Sequence, residues 1–307
     1  LPDPVSTPRH DTARMTFRGR GEANMKQMGL KIGLVGLLIV VALSTIGCVP
    51  GSQAQSIEVA SLSGLAGAAA TEPCSAPVSE TMKQQCAAWE QEILASTVRL
   101  EIRVFSLDEG GYAVSQVDGS SGHAAVKDGR YLVTHNHYAV SLTAESPGTI
   151  SRLTLLKANG DVILTDTPLS AFRVVFQDSQ TQVLDFGDAG GTGLFAAQGI
   201  PSATFRQGPA ISLLPGAEVA QINWDGQTTH IDWVRVTAVH MDGETPYLEV
   251  DNYVERGASG GGVYLNGDHI GNNWSRSQDR SADTGEVLRT YSIAALNAME
   301  PLAIVVQ

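Results

Sequence analysis

The sequence predicts an all-β protein, sandwich or barrel, with about enough residues for two small barrels, behind a helical lead-in. Three observations carry this. Ten or more short segments between residues 97 and 296 alternate apolar and polar side chains with period two. Gly is abundant, at 32 residues, and falls largely between those segments. Two dipeptides, Asp128-Gly129 and Asn266-Gly267, each sit between two such segments, as tight hairpin turns require.

The elements follow in order. Residues 79–95, SETMKQQCAAWEQEILA, predict a helix. Ser79 can cap it, and Met82, Cys86, Trp89 and Ile93 fall on one face. TVRLEIRVF (97–105) alternates as a half-buried strand, and 123–135 is a hairpin about Asp128-Gly129. Further strands are expected at 152–157, 161–165, 172–176, 182–186, 218–223, 231–239 and 246–251. A second hairpin joins 262–265 to 268–273. The last segment reads as a strand running into a short C-terminal helix, and no internal repeat is present.

Upstream of this domain, residues 1–24 are polar and irregular and are expected to lie outside the mature protein. Residues 25–48 place Lys26 and Lys31 before an uncharged apolar run that ends at Cys48. That is the pattern of an export signal. The small residues before Cys48 resemble a bacterial lipoprotein signal, in which Cys48 carries the lipid; an uncleaved anchor or plain secretion are the alternatives. All three place the domain outside the cytoplasm, in the cell envelope or secreted. Residues 49–78 read as a linker. With Cys48 lipidated, Cys74 and Cys86 form an even pair for a disulfide in an oxidising compartment.

The net charge of −12 excludes a non-specific nucleic-acid binder, which needs a basic face. Any membrane contact would run through the N-terminal lipid or anchor. His123, His230, His240 and His269 show no metal-ligand spacing, so no metal and no cofactor are expected.

The chemistry concentrates in two stretches. GASGGG (257–262) surrounds Ser259 with glycines. A serine nucleophile needs an exposed hydroxyl and a sharp turn that aims two backbone N–H groups at one point, and side chains would obstruct that turn. The amides of Gly257 and Ser259 are the candidate oxyanion donors. YLVTHNHYAV (131–140) supplies two histidines at a strand end. Together, RYLVTHNHYAV (130–140) and YLEVDNYVERGASGGGVYLNGDHIGNNW (247–274) resemble the histidine and serine segments of trypsin-like serine proteases of the Deg/HtrA type. LLPGAEVAQINWDG (213–226) adds to the likeness, which covers roughly residues 97–300.

The resemblance implies two six-stranded antiparallel β-barrels over 79–307, without a PDZ module, and a peptide or protein substrate. It makes His137 the general base and Ser259 the nucleophile. Ala258 replaces the aspartate that trypsins pair with a new N-terminus, so that zymogen switch is not expected; Deg-type enzymes lack it too. The third member departs from the family pattern. Gln180 or Gln182 falls where the aspartate is usual. Asp178 lies just upstream and is the expected partner of His137; Asp185, inside the strand, is the other carboxylate. The primary specificity pocket is expected near Tyr253 and residues 271–275. The reading is an exported serine endopeptidase. The rival is an inactive trypsin-like pseudoprotease serving as a cell-surface binding module.

Overall fold

In the computed structural model the described residues are 72–138, 141–189, 192–206, 215–242 and 245–297. Helix α1 (Glu80–Ala95) starts where Ser79 accepts a hydrogen bond from Met82 N. It buries Cys86 and Ile93, two of the four residues expected on its inner face. Cys74 and Cys86 form a disulfide with Cα atoms 5.6 Å apart, which ties the approach segment to the helix.

The first sheet comprises β1 (Thr97–Leu107), β2 (Ala113–Lys127), β3 (Tyr131–His135), β4 (Thr149–Lys157), β5 (Val162–Pro168), β6 (Arg173–Gln177) and β7 (Thr181–Asp185). Its spatial order is β5-β4-β1-β2-β3-β7-β6, and every pairing is antiparallel. Val98, Leu100, Ile102, Ala124, Leu132, Leu153, Leu155 and Leu184 fill its inner face. A short ribbon of β8 (Asp188–Ala189) and β9 (Thr192–Gly193) leads into a single helical turn, α2 (Leu194–Ala197), whose Phe195 joins that core.

The second unit comprises β10 (Glu218–Trp224), β11 (Thr229–Asp242), β12 (Thr245–Val250), β13 (Gly262–Leu265), β14 (Asp268–Arg280) and β15 (Val287–Leu296). These six close into a barrel in the order β10-β11-β12-β15-β14-β13. Its core is Val219, Val234, Val236, Leu248, Val250, Val263, Ile270, Ala294 and Leu296. Ile93 and Trp89 of α1 pack against Ala220, Ile222 and Tyr264 on the outside of this barrel.

Both hairpins turn where expected. Asp128 and Gly129 have φ of 51° and 65°, and Asn266 and Gly267 have 53° and 84°, as a twist-matched two-residue turn demands. The all-β, two-unit expectation holds. The first unit carries seven strands in a linear hydrogen-bonded order, and the second carries the expected six. The expected C-terminal helix lies outside the described residues, as do 1–24, the signal segment 25–48, Cys48 and most of the linker. No helix among the described residues is long and apolar enough to cross a membrane.

Candidate active site

The serine turn follows from glycine. Gly257 and Gly260 have φ of 98° and 78°, a region that other L-residues rarely enter. At Gly260 space is limiting too: an added Cβ would lie 2.2 Å from Thr134 Oγ1 and 2.3 Å from the His123 carbonyl oxygen. The turn's amides are then almost all used. Ala258 N donates to Glu255 O, Gly260 N to Asn273 O and Gly261 N to Ala258 O. Asn273 Nδ2 in turn donates to the carbonyls of Ile222 and Ala258. The two amides left without an acceptor among the described residues are those of Gly257 and Ser259. These are the pair expected to hold an oxyanion.

The histidine side starts at the end of β3. Thr134 is fully buried; its hydroxyl donates to His123 O at 2.6 Å and meets the Tyr138 hydroxyl at 2.9 Å. His135, expected to be only a polar strand-end residue, is buried beneath the serine turn. Its Nδ1 accepts from His137 N at 3.2 Å, so in the neutral ring Nε2 carries the proton. Its ring lies 4.2 Å from that of His137 and 4.0 Å from that of Tyr138. Burial, then the charges of His137 and His123, push its pKa down to about 3, so it stays neutral. The Gly260 Cα faces the same ring, since a Cβ there would lie 2.7 Å from His135 Cδ2. His135 therefore touches both His137 and the serine turn.

His137 is exposed on one side. Its other side meets Trp274 edge-on, with ring centroids 6.0 Å apart. This partial desolvation lowers its pKa from the ordinary imidazole value and favours the neutral form that a general base requires. Among the described residues its ring makes no hydrogen bond to Ser259 or to a carboxylate.

Neither candidate carboxylate is bonded to His137. Asp178 Oδ1 accepts from Gln180 N at 2.7 Å and Thr181 N at 2.6 Å, holding the turn into β7. Its carbonyl accepts from Asn136 Nδ2 at 2.5 Å, next to His137 in sequence. Asp185 is buried between Arg130 and Arg173, whose guanidinium groups lie 2.6 and 2.7 Å from its oxygens and hold it ionised. The two glutamines instead face the end of β3. Gln182 Nε2 donates to His135 O at 2.9 Å, and the buried Gln180 receives Asn136 N on its carbonyl. Gln180 Oε1 is buried with no partner among the described residues.

His123 carries no motif in the sequence that marks it as part of the site. It is fully buried, and its ring and main chain both bond to the serine turn. Gly122 beside it permits the close approach of β2: a Cβ there would lie 2.8 Å from Ser259 O and 2.9 Å from His135 Nε2. In the expected specificity region, Arg276 spans from β14 to the 253–255 segment. Its guanidinium lies 4.6 Å above the Tyr253 ring, 3.2 Å from Val254 O and 3.3 Å from Glu255 Oε2.

No protein-family model matches the chain, and no curated protein sequence matches it. Among solved structures it is similar to the HtrA-type protease AlgW with a tripeptide, at 15% identity and TM-score 0.46, over 72% of this chain and 63% of that one. It is similar to the same protease with a decapeptide at 15% identity and TM-score 0.46, over 71% and 66%. For Deg5 the values are 15% and 0.47, over 74% of this chain and 94% of that one. The chain thus spans less than two thirds of the AlgW chains. Its own strands form a closed six-stranded antiparallel barrel and a second, seven-stranded antiparallel sheet.

Proposed function

We propose that the chain is a serine endopeptidase acting through an acyl-enzyme. The observation that carries this is the serine turn, which spends its other amides on internal bonds and leaves those of Gly257 and Ser259 free. In this reading a peptide lies along the edge of β14. Residues 275–280 pair with β15 on one side and have no strand partner on the β13 side among the described residues. Such an edge offers main-chain hydrogen bonds to an extended substrate.

Ser259 Oγ attacks the scissile carbonyl carbon, and His137 takes the hydroxyl proton. The carbonyl π electrons move to oxygen, and the oxyanion is held by the Gly257 and Ser259 amides. As the C–N bond breaks, its electrons go to nitrogen, and His137 passes its proton to the departing amine. Water then attacks the ester, His137 takes its proton, and the proton returns to Ser259 as the acid leaves. Asp178 enters as a positioning group that fixes the β6–β7 turn and, through its carbonyl, Asn136. Export with a lipid on Cys48 belongs to the same reading, and the Cys74–Cys86 disulfide suits an oxidising compartment.

The second reading, an inactive binding module, is favoured by one observation: His137 has no carboxylate partner among the described residues. Hydrolysis of an unstructured protein such as casein, by wild type beside Ser259→Ala and His137→Ala, separates the two. The proposal expects cleavage by wild type alone. Equal, background-level cleavage by all three would favour the binding module.

A further inference from the structure

We infer that His123 is a positioning residue that locks the oxyanion turn from the opposite sheet, an inference that rests on the proposed serine-peptidase reading. His123 lies in β2 of the first sheet, whereas Ser259 belongs to the second unit. Two bonds cross from this one residue. Its Nδ1 lies 2.7 Å from Gly257 O, and its main-chain N donates to Ser259 O at 2.8 Å.

The placement matters because of which peptide groups are held. The two free amides belong to the peptides that precede Gly257 and Ser259. The peptide between them, Gly257–Ala258, links the two, and it is held at both its groups: Ala258 N donates to Glu255 O, and Gly257 O accepts from His123. Gly257 has no Cβ to restrict its backbone at φ 98°, so the hydrogen bonds to this turn hold its conformation. The bond from His123 to Gly257 O adds a restraint from the opposite sheet to the internal one at Glu255 O. The bond to Ser259 O pins the next carbonyl.

The ring is set to donate. A carbonyl can only accept, so Nδ1 carries the proton. Nε2 then accepts from Thr229 Oγ1, 2.8 Å away in β11. The ring lies against Trp224 at 5.9 Å, and the Arg99 guanidinium covers that indole at 3.8 Å. His123 is fully buried, so water does not compete for the Gly257 carbonyl. Thr134 Oγ1 donates to the His123 carbonyl. The strand that leads to His137 thereby shares an anchor with the turn that carries Ser259.

The test compares wild type with His123→Leu and His123→Asn. The Asn amide can place an N–H where Nδ1 stands. Kinetics on a chromogenic ester, with hydrogen exchange of the 254–262 peptide, give two readouts. His123→Leu is expected to lower kcat about 10²-fold with KM nearly unchanged, as losing an oxyanion donor does. It is also expected to speed exchange at 254–262. His123→Asn is expected to recover at least about tenfold of that kcat and the protection. Wild-type kcat in the Leu variant, or an Asn variant no better than Leu, overturns the inference.

If wild type turns over no ester, the peptidase reading fails by itself. The anchor is then judged on exchange and on the ring ¹⁵N spectrum, where a single Nδ1–H tautomer supports it and an Nε2–H tautomer overturns it. If His123→Leu does not fold, Thr229→Val serves. It is expected to mix the tautomers and lower kcat about tenfold, and a pure tautomer with unchanged kcat counts against the inference.

Discussion

The serine side and the histidine side of the site are built to different standards. Around Ser259 the amides of Ala258, Gly260 and Gly261 and the carbonyls of Gly257, Ala258 and Ser259 all have partners, while the amides of Gly257 and Ser259 have none among the described residues. Around His137 the main chain is fixed through Asn136 and His135, but the imidazole itself has no hydrogen bond among the described residues. Gln182 and Gln180 bond the end of β3 at His135 O and Asn136 N, and the carboxylates are spent elsewhere, Asp178 on its own turn and Asp185 on two arginines. The lesson is that, under the proposed reading, the backbone of the turn that would hold an oxyanion is fixed by hydrogen bonds while the orientation of the base is not. Turnover in this account is limited on the histidine side.

Gly260→Ala should break the well-built side with the largest effect. The Cβ would meet backbone and hydroxyl oxygens at 2.2–2.3 Å in a positive-φ conformation, so the turn must shift. A loss of about 10²–10³ in kcat is expected, the scale of a lost oxyanion donor. Activity within a few-fold of wild type would show that the turn does not set the rate.

Gln180→Asp addresses the other side. It puts a carboxylate where a side-chain oxygen is already buried without a partner among the described residues. An orienting aspartate is worth about 10⁴ in turnover. A shorter side chain in a desolvated site should realise about tenfold of that, read as kcat on an ester. A drop in kcat without loss of fold would mean that Gln180 is not beside the working base. Asp178→Asn should change kcat by no more than about twofold, because an amide oxygen can accept the same two amide protons. A fall approaching 10⁴ would restore Asp178 as the third catalytic group and overturn the contrast drawn here.

Acid should weaken the fold at both sides together. His123, His135 and His269 are buried, with pKa values pushed down to about 4, about 3 and about 3, mainly by desolvation. The unfolded chain takes up these protons from about pH 6.5 downward, and the folded chain does not. Stability therefore falls as pH drops below about 6.5, by at most about 1.4 kcal/mol per pH unit for each histidine, until the folded-state values are reached. Urea midpoints at pH 7 and pH 5 read this. Activity should persist lower in pH than an unperturbed imidazole allows, since the His137 pKa is also lowered.

Much of this was legible in the sequence. The hairpins at Asp128-Gly129 and Asn266-Gly267, the capped helix from Glu80 and the Cys74–Cys86 pair each announce themselves through local chemistry. So does the turn at Ser259, because only glycine can make it. The outer half of β2 was missed because Ala113–Gly119 is exposed on both faces and shows no alternation. The extension of β14 past Asn273 was missed for a similar reason, as its last residues turn polar and exposed. The role of His123 depends on which strand of one sheet crosses to which turn of the other unit. The fate of Asp178 depends on one hydrogen-bonded turn. Neither is written in spacing.

The most direct measurement is intact-mass labelling of purified protein by a fluorophosphonate, beside Ser259→Ala and His137→Ala. A phosphonate forms at a serine only when its hydroxyl is activated and an oxyanion site receives the P–O oxygen. The account predicts one adduct on wild type, none on Ser259→Ala and a strongly slowed reaction on His137→Ala. A folded wild type that takes up no label, or labels equally well without Ser259, would contradict it.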